Sequence, residues 1–422
     1  MVLQIVGFND IDVGQGINLG FFDDLLIPAG VTLGSLDAEG VLSFGSNQFV
    51  TIAGTVAAFD FGLILGDGFP ASNQKVHVAD EGLVVSSKSH GIFFLSSNSR
   101  LINEGTVTGY QYGVLLQGPA QVGTLSRVTN TGVIVGDIGI GRNSAEPVTV
   151  INHGIIEGRV HSFLATESVL GNDIIRNRGT MIGDVAFGIG NDLYDGRGGT
   201  IEGSVLGRLG DDRFIPGASA ETFDGGGGND TLDFSLGAGI TVSLDDDQEA
   251  TLTAEGDVYT GIENIIGSRQ GADKLYGSAQ NNELTGQGGA DQLFGGNGTD
   301  TLTGGRAADI LSGGAGADRF VFNTRSEGGD RIDDFLSAAG TWDLIRVQAS
   351  GFGSGLTAGV LAANRFESDG DIVTLSSTVR FHFRTTDKTL WFDPDGNGAE
   401  APVLLADLQA SATLVASDIV VF

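Results

Sequence analysis

Cysteine is absent from this 422-residue chain, so neither disulfides nor a thiolate metal site can hold it together. Lysine is nearly absent, occurring only at Lys75, Lys88, Lys274 and Lys388. With 22 Lys+Arg against 53 Asp+Glu the net charge is −31, which repels nucleic acid and anionic membranes and attracts cations. That excludes nucleic acid as a partner. No stretch approaches the roughly 18 consecutive apolar residues of a membrane span. The opening residues, MVLQIVGFNDIDVGQG, lack the basic region and small-residue cleavage site of a signal peptide. There is no HExxH motif, which removes the zincin proteases, and no apolar or amphipathic helical region of the kind a pore-forming toxin needs.

What is present is glycine, 69 residues of it against 7 prolines, together with a 41% hydrophobic fraction that suffices for buried cores. A cysteine-free chain this acidic needs another staple, and a hard cation held by oxygen is the natural candidate.

Two repeat systems adjoin. The first has the form N-x-G-x-[IVM]-x-G and appears as NEGTVTG (103–109), NTGVIVG (130–136), NHGIIEG (152–158), NRGTMIG (177–183) and, less exactly, RGGTIEG (197–203). Short β-branched runs recurring every 20 to 27 residues predict coils of a parallel β-solenoid. Asn at the corner tolerates left-handed geometry and can stack from coil to coil. On the later coils rides a second landmark, GND or GDD, ending at Asp173, Asp192, Asp212 and Asp230 with gaps of 19, 20 and 18 residues. These Asp turns either bind a cation or serve as simple corners.

The second system is a nonapeptide. It runs in register as SRQGADKLY (268–276), GSAQNNELT (277–285), GQGGADQLF (286–294), GGNGTDTLT (295–303), GGRAADILS (304–312) and GGAGADRFV (313–321), with an isolated copy, GGGGNDTLD, at 225–233. Glycine at positions 1, 2 and 4 opens backbone angles closed to other residues, so six residues are expected to make a turn. The last three are expected to form a strand whose central apolar residue points inward. Two nonapeptides then make a coil of 18 residues. Asp273, Asp291 and Asp309 fall on one edge, and Asn282, Asp300 and Asp318 on the other. Carboxylates and turn carbonyls in that arrangement make an all-oxygen cage suited to Ca²⁺ rather than zinc.

The motif G-G-x-G-x-D-x-U-x resembles the RTX family of calcium-binding β-roll proteins. The resemblance implies several Ca²⁺ ions, about three to five in the loose extracellular affinity range. Their ligands are expected from Asp230, Asp273, Asn282, Asp291, Asp300, Asp309 and Asp318, with the turn glycines Gly289, Gly296, Gly298, Gly314 and Gly316. Asn282, Gln280, Ala307 and the Ser268-Arg269 pair depart from the motif, and sites using them are expected to be weaker or empty. The tail (ADRFVF, DRIDDF, LWFDPDGNGAEAPVLLADL, SDIVVF) also resembles RTX C-termini, which implies export to the extracellular space by a type I secretion apparatus reading an uncleaved C-terminal signal. DPDGNG (393–398) matches the first half of an EF-hand loop but has Leu404 where the bidentate Glu would fall, so it reads as a calcium contact or a hairpin turn.

The expected architecture is all-β: an N-terminal β cap (1–50), an irregular parallel β-solenoid (51–220), an RTX β-roll (221–322) continuing it, and a β-rich C-terminal cap (323–422) with hairpins and one short helix or strand at ADLQASATLV. The expected role is a calcium-binding repeat protein that folds outside the cell and is structural or adhesive, with cell-surface or extracellular polysaccharide as a partner. The alternative is a polysaccharide-active β-helix enzyme of the uronate lyase or epimerase kind. Its candidate residues would be His153, His161, Asp173, Arg176, Arg178, Asp184 and Tyr194, but no epimerase catalytic motif is present and lysine is missing from 89–273.

Overall fold

A computed structural model describes residues 3–5, 10–12, 17–20, 23–66, 72–119, 124–166, 170–245, 256–337, 342–353, 355–370 and 377–422. Parts of the segment expected to form the N-terminal cap lie outside these residues. The chain divides into two compact units, Met1–Asp230 with Gly256–Gly261, and Thr231–Glu255 with Ile262–Phe422.

The first unit is a parallel β-solenoid. Strands Phe49–Ile52, Lys75–Val78, Arg100–Asn103, Ser126–Asn130, Val148–Asn152 and Ile174–Asn177 stack in parallel, each one coil from the next. A second sheet takes the strand after each corner, including Leu83–Ser86, Thr106–Thr108, Val133–Arg142, Ile155–Ala165 and Thr180–Ala186. Along each strand inward Val, Ile or Leu alternates with outward residues, so Val76, Leu101, Val128, Val150 and Ile175 form one column of the core.

The N-x-G corner stacks from coil to coil as expected, but without left-handed geometry. Asn103, Asn130, Asn152 and Asn177 are fully buried; the side-chain amides of the first three donate to the Oδ1 of the Asn one coil later, at 2.7, 2.9 and 2.9 Å, and that of Asn177 donates to the Thr200 carbonyl at 2.8 Å. None of the four adopts a left-handed backbone; among the described residues the left-handed Asn are Asn47, Asn73 and Asn98. The corner asparagines are retained for the ladder they build, since a buried polar side chain must be satisfied. The glycine two positions on is sterically required. A Cβ at Gly105, Gly132, Gly154 or Gly179 would fall on the carbonyl oxygen of the glycine in the preceding coil.

In the second unit the nonapeptides form coils of 18 residues. Glu283–Gly288, Thr301–Arg306 and Arg319–Phe322 stack on one side, and Lys274–Tyr276, Gln292–Gly298 and Ile310–Gly316 on the other. Leu284, Leu302 and Phe320 face Leu275, Leu293 and Leu311 from opposite sheets, and all six have no exposed surface. Each such side chain contributes about 1.5–3 kcal/mol of hydrophobic burial.

Two expectations need correction. The strands do not stop before the glycines: the ladder runs on through Gly296↔Gly314 and Gly298↔Gly316, because identical turns one coil apart present matching N–H and C=O groups. The segment after Asn323 is not a set of hairpins alone. Leu344–Val347, Asp330–Ile332, Val403–Leu408 and Ile419–Val421 continue the two sheets in parallel, and antiparallel pairing joins Phe381–Arg384 to Thr389–Phe392 and Thr389–Phe392 to Val403–Leu408. ADLQASATLV splits between the end of a strand and an irregular turn, while the one short α-helix among the described residues is Ala349–Phe352.

Candidate metal centre

The position-6 residues form two buried rows in the second unit. In one row the N–H of Asp273 donates to Oδ1 of Asp291 (2.8 Å), Asp291 to Asp309 (2.8 Å) and Asp309 to Asp330 (3.0 Å). In the other, Asn282 donates to Asp300 (2.8 Å), Asp300 to Asp318 (2.9 Å) and Asp318 to Asp343 (2.9 Å). The first unit holds a third row of the same construction, Asp173 to Asp192, Asp192 to Asp212 and Asp212 to Asp230, at 2.5, 2.7 and 2.8 Å. One carboxylate oxygen of each Asp thus stitches neighbouring coils.

The fate of the second oxygen sorts the sites. Oδ2 of Asp291, Asp300, Asp309 and Asp318 is buried without a hydrogen-bond partner, as is that of Asp192 and Asp212. At two of the departures from the motif, Ser268 and Asn282, the need is met internally. Asp273 Oδ2 accepts from the Ser268 backbone N–H at 2.7 Å and from the Ser268 hydroxyl at 3.2 Å. Asn282 donates its amide to the Glu263 carbonyl at 2.8 Å and accepts from the Ser278 N–H at 2.7 Å. At the far end of the third row Arg142 Nε lies 2.9 Å from Asp173 Oδ2, with both side chains fully buried.

Burial without compensation raises the affinity of these carboxylates for protons. Asp291, Asp300, Asp192 and Asp212 are pushed up to about 7, Asp309 and Asp343 to about 6, and Asp330 to about 9, with desolvation the largest cause in each. A buried ionised oxygen without a partner is costly, and a bound cation removes that cost.

The donor set decides which cation. Among the described residues no three His, Cys, Asp or Glu side chains converge, so most ligands must be backbone carbonyls. The stacked turns supply them: a Cβ at Gly296, Gly314, Gly298 or Gly316 would fall against the carbonyl of Ser278, Gly296, Gln280 or Gly298 in the preceding coil. Carboxylate and carbonyl oxygens suit Ca²⁺, whereas zinc takes imidazole and thiolate. The residues present therefore fit calcium.

Asp330, Asp343 and Arg142 escaped the sequence reading. Asp330 and Asp343 lie 21 and 25 residues after their predecessors, outside the nonapeptide register, and what marks them is the fragment Asp-x-apolar (Asp330-Arg331-Ile332, Asp343-Leu344-Ile345), with Gly328-Gly329 before the first. In the DPDGNG loop, Asp393 accepts the N–H groups of Asp395 (3.1 Å) and Gly396 (2.8 Å), and the loop connects two antiparallel strands. Of the residues weighed for enzymatic chemistry, His161 and Asp184 are register neighbours on successive coils, while Tyr194 and Asp173 are in the core, Arg178 is held by Asp195 at 2.7 Å, and His153 is exposed.

Parallel coils carrying rows of buried, cation-ready carboxylates define a β-roll repeat protein. The sequence matches the family of the RTX calcium-binding nonapeptide repeat, in four copies, over residues 204–240, 268–302 and 294–323. Among solved structures the chain is similar to the solution structure of the AlgE6R3 subunit from the Azotobacter vinelandii mannuronan C5-epimerase, at 32% identity over 36% of this chain and 79% of that one, with a TM-score of 0.25. No curated protein matches. The chain belongs to the RTX calcium-binding repeat proteins.

Proposed function

We propose that this protein is exported by type I secretion and folds outside the cell as its carboxylate rows load with calcium, to act there as a structural or adhesive protein toward polysaccharide. The observation that supports the calcium reading is the set of buried Oδ2 atoms without partners, at Asp291, Asp300, Asp309 and Asp318, in contrast to the satisfied side chains of Asp273, beside Ser268, and of Asn282. Asp192 and Asp212, in the row that runs to Asp230, extend the same reading into the first unit, and Asp173 ends it, with the Arg142 guanidinium as a permanent substitute for the ion.

Mass action supplies the switch. At millimolar Ca²⁺ and a Kd of about 0.1 mM each site stabilises by roughly 1.4 kcal/mol, and at sub-micromolar Ca²⁺ by about zero. Several sites are comparable to the whole stability of a domain. The chain would therefore stay unfolded in a calcium-poor cytoplasm and fold once exported. A calcium titration followed by circular dichroism and calorimetry tests this, with a cooperative gain of β signal expected. A β signal already complete in EGTA would rule out folding on binding.

A further inference from the structure

We infer that the outer face of the first unit carries a binding site for an unbranched anionic glycan, centred on Lys75, Arg100 and Arg127. These residues sit directly beside one another on three successive parallel strands. Neighbouring strands lie about 4.8 Å apart, so three like charges are held in a line at strand spacing. All three are exposed, and among the described residues none has a side-chain hydrogen bond, ion pair or ring partner.

This is unusual within the molecule. Several other cations at the surface have carboxylate partners, Lys88 with Asp60 (3.7 Å), Arg197 with Asp195 (2.7 Å), Arg331 with Asp333 (2.7 Å) and Arg325 with Glu400 (2.9 Å). The exposed Arg269, Lys274 and Arg306 are not register neighbours of one another; the row differs in holding three cations side by side. Near the row the acids are otherwise engaged, Glu104 with His77 at 2.9 Å and Glu146 with the Asn98 N–H at 2.7 Å. Three adjacent like charges repel. A chain with 53 acidic residues that leaves this row unneutralised leaves it open to an external anion.

The neighbouring groups specify the kind of anion. Asn47, Asn73 and Asn98, with φ of 60°, 60° and 51°, form an amide column in which Asn73 donates to Asn47 (2.9 Å) and Asn98 to Asn73 (2.5 Å). Together with Lys75 and Arg100 they line a hollow of about 240 Å³. Phe49, 43% exposed, continues the cation row beside Lys75. Cations for carboxylate or sulfate, amides for hydroxyls and an aromatic ring for the face of a sugar together describe a charged glycan. Duplex nucleic acid and anionic membrane present broad negative surfaces to a chain of net charge −31. A thin chain lying along the row feels it within the Debye length of about 8 Å, where the distant acids are screened.

The inference deepens the extracellular adhesive reading and rests on it, but not on the calcium rows. The test uses the full calcium-loaded chain and isothermal titration with three probes: oligogalacturonates too short to gel with calcium, dextran sulfate, and neutral dextran. The wild type should bind one or both charged probes and not dextran, more weakly as salt is raised. The triple variant Lys75→Gln/Arg100→Gln/Arg127→Gln should lose about tenfold or more in affinity, while Lys88→Gln changes little. Circular dichroism in calcium verifies that each variant folds. No binding to either charged probe overturns the proposal, as does equal binding to dextran or stronger binding to duplex DNA or phosphatidylserine vesicles. Charged-glycan binding that the triple variant retains overturns this site and leaves the adhesive reading standing.

Discussion

Ala307 occupies a position where the motif calls for glycine, and its backbone is forced to φ 86°. An L-residue in that region costs roughly 1–2 kcal/mol, part of which the flexibility of an unfolded glycine gives back. Ala307→Gly should therefore raise stability by about 1 kcal/mol in calcium, read as a shift in the thermal midpoint; an unchanged or lower midpoint would show that the turn is not strained. Asp300 offers a sharper test because Asn282, one coil away in the same row, is a natural control. Asp300→Asn removes a buried charge whose Oδ2 has no internal partner, so the variant should lose calcium stoichiometry in calorimetry without losing stability in EGTA. Loss of stability in EGTA with calcium binding intact would contradict the ligand role. Spacing alone made these row positions legible in the sequence, since a period of 18 leaves one choice of neighbour. Ser268 was legible as a departure, but its compensation was not, because a hydroxyl reaching a carboxylate five residues on has no periodic signature.

At the scale of the element, each row is a column of carboxylates that must terminate. The third row terminates at the pair Arg142–Asp173, where the guanidinium also donates to the carbonyls of Ser144 (2.9 Å) and Glu146 (3.1 Å). Removing one partner of a buried ion pair leaves an uncompensated charge, at a cost of about 3–5 kcal/mol. Arg142→Met should cost that much in urea denaturation, and the double variant Arg142→Met/Asp173→Leu should recover most of it. If the double variant is as unstable as the single one, the guanidinium acts through packing rather than as a stand-in cation. No sequence rule points to Arg142, which lies 31 residues before its partner at the end of a strand of mostly β-branched residues and glycine. The C-terminal continuation of the sheets was hidden for a related reason. Once the nonapeptide glycines end, Asp330 and Asp343 are brought into their rows by pairing with distant strands, not by local periodicity.

At the scale of the whole molecule, the rows set the response to pH, and the sign differs with and without calcium. In the metal-free folded chain Asp291 and Asp300 titrate near 7, Asp309 near 6 and Asp330 near 9, all above the 3.8 of an unfolded Asp. Between about pH 4 and those values the folded state holds more protons than the unfolded one. Its stability is then full at low pH and is lost as pH rises through the raised values. Self-repulsion at a net charge of −31 acts in the same direction. With calcium present the order reverses, because the ion binds the ionised carboxylate and protons compete for it. In EGTA the thermal midpoint should fall from pH 5 to pH 8, and the increment added by 2 mM calcium should grow over the same interval. Calorimetric scans of the full chain at several pH values, with and without the ion, read both trends. A metal-free midpoint that rises with pH would mean the row carboxylates are already satisfied by the protein, and the calcium reading of the rows would fail with it.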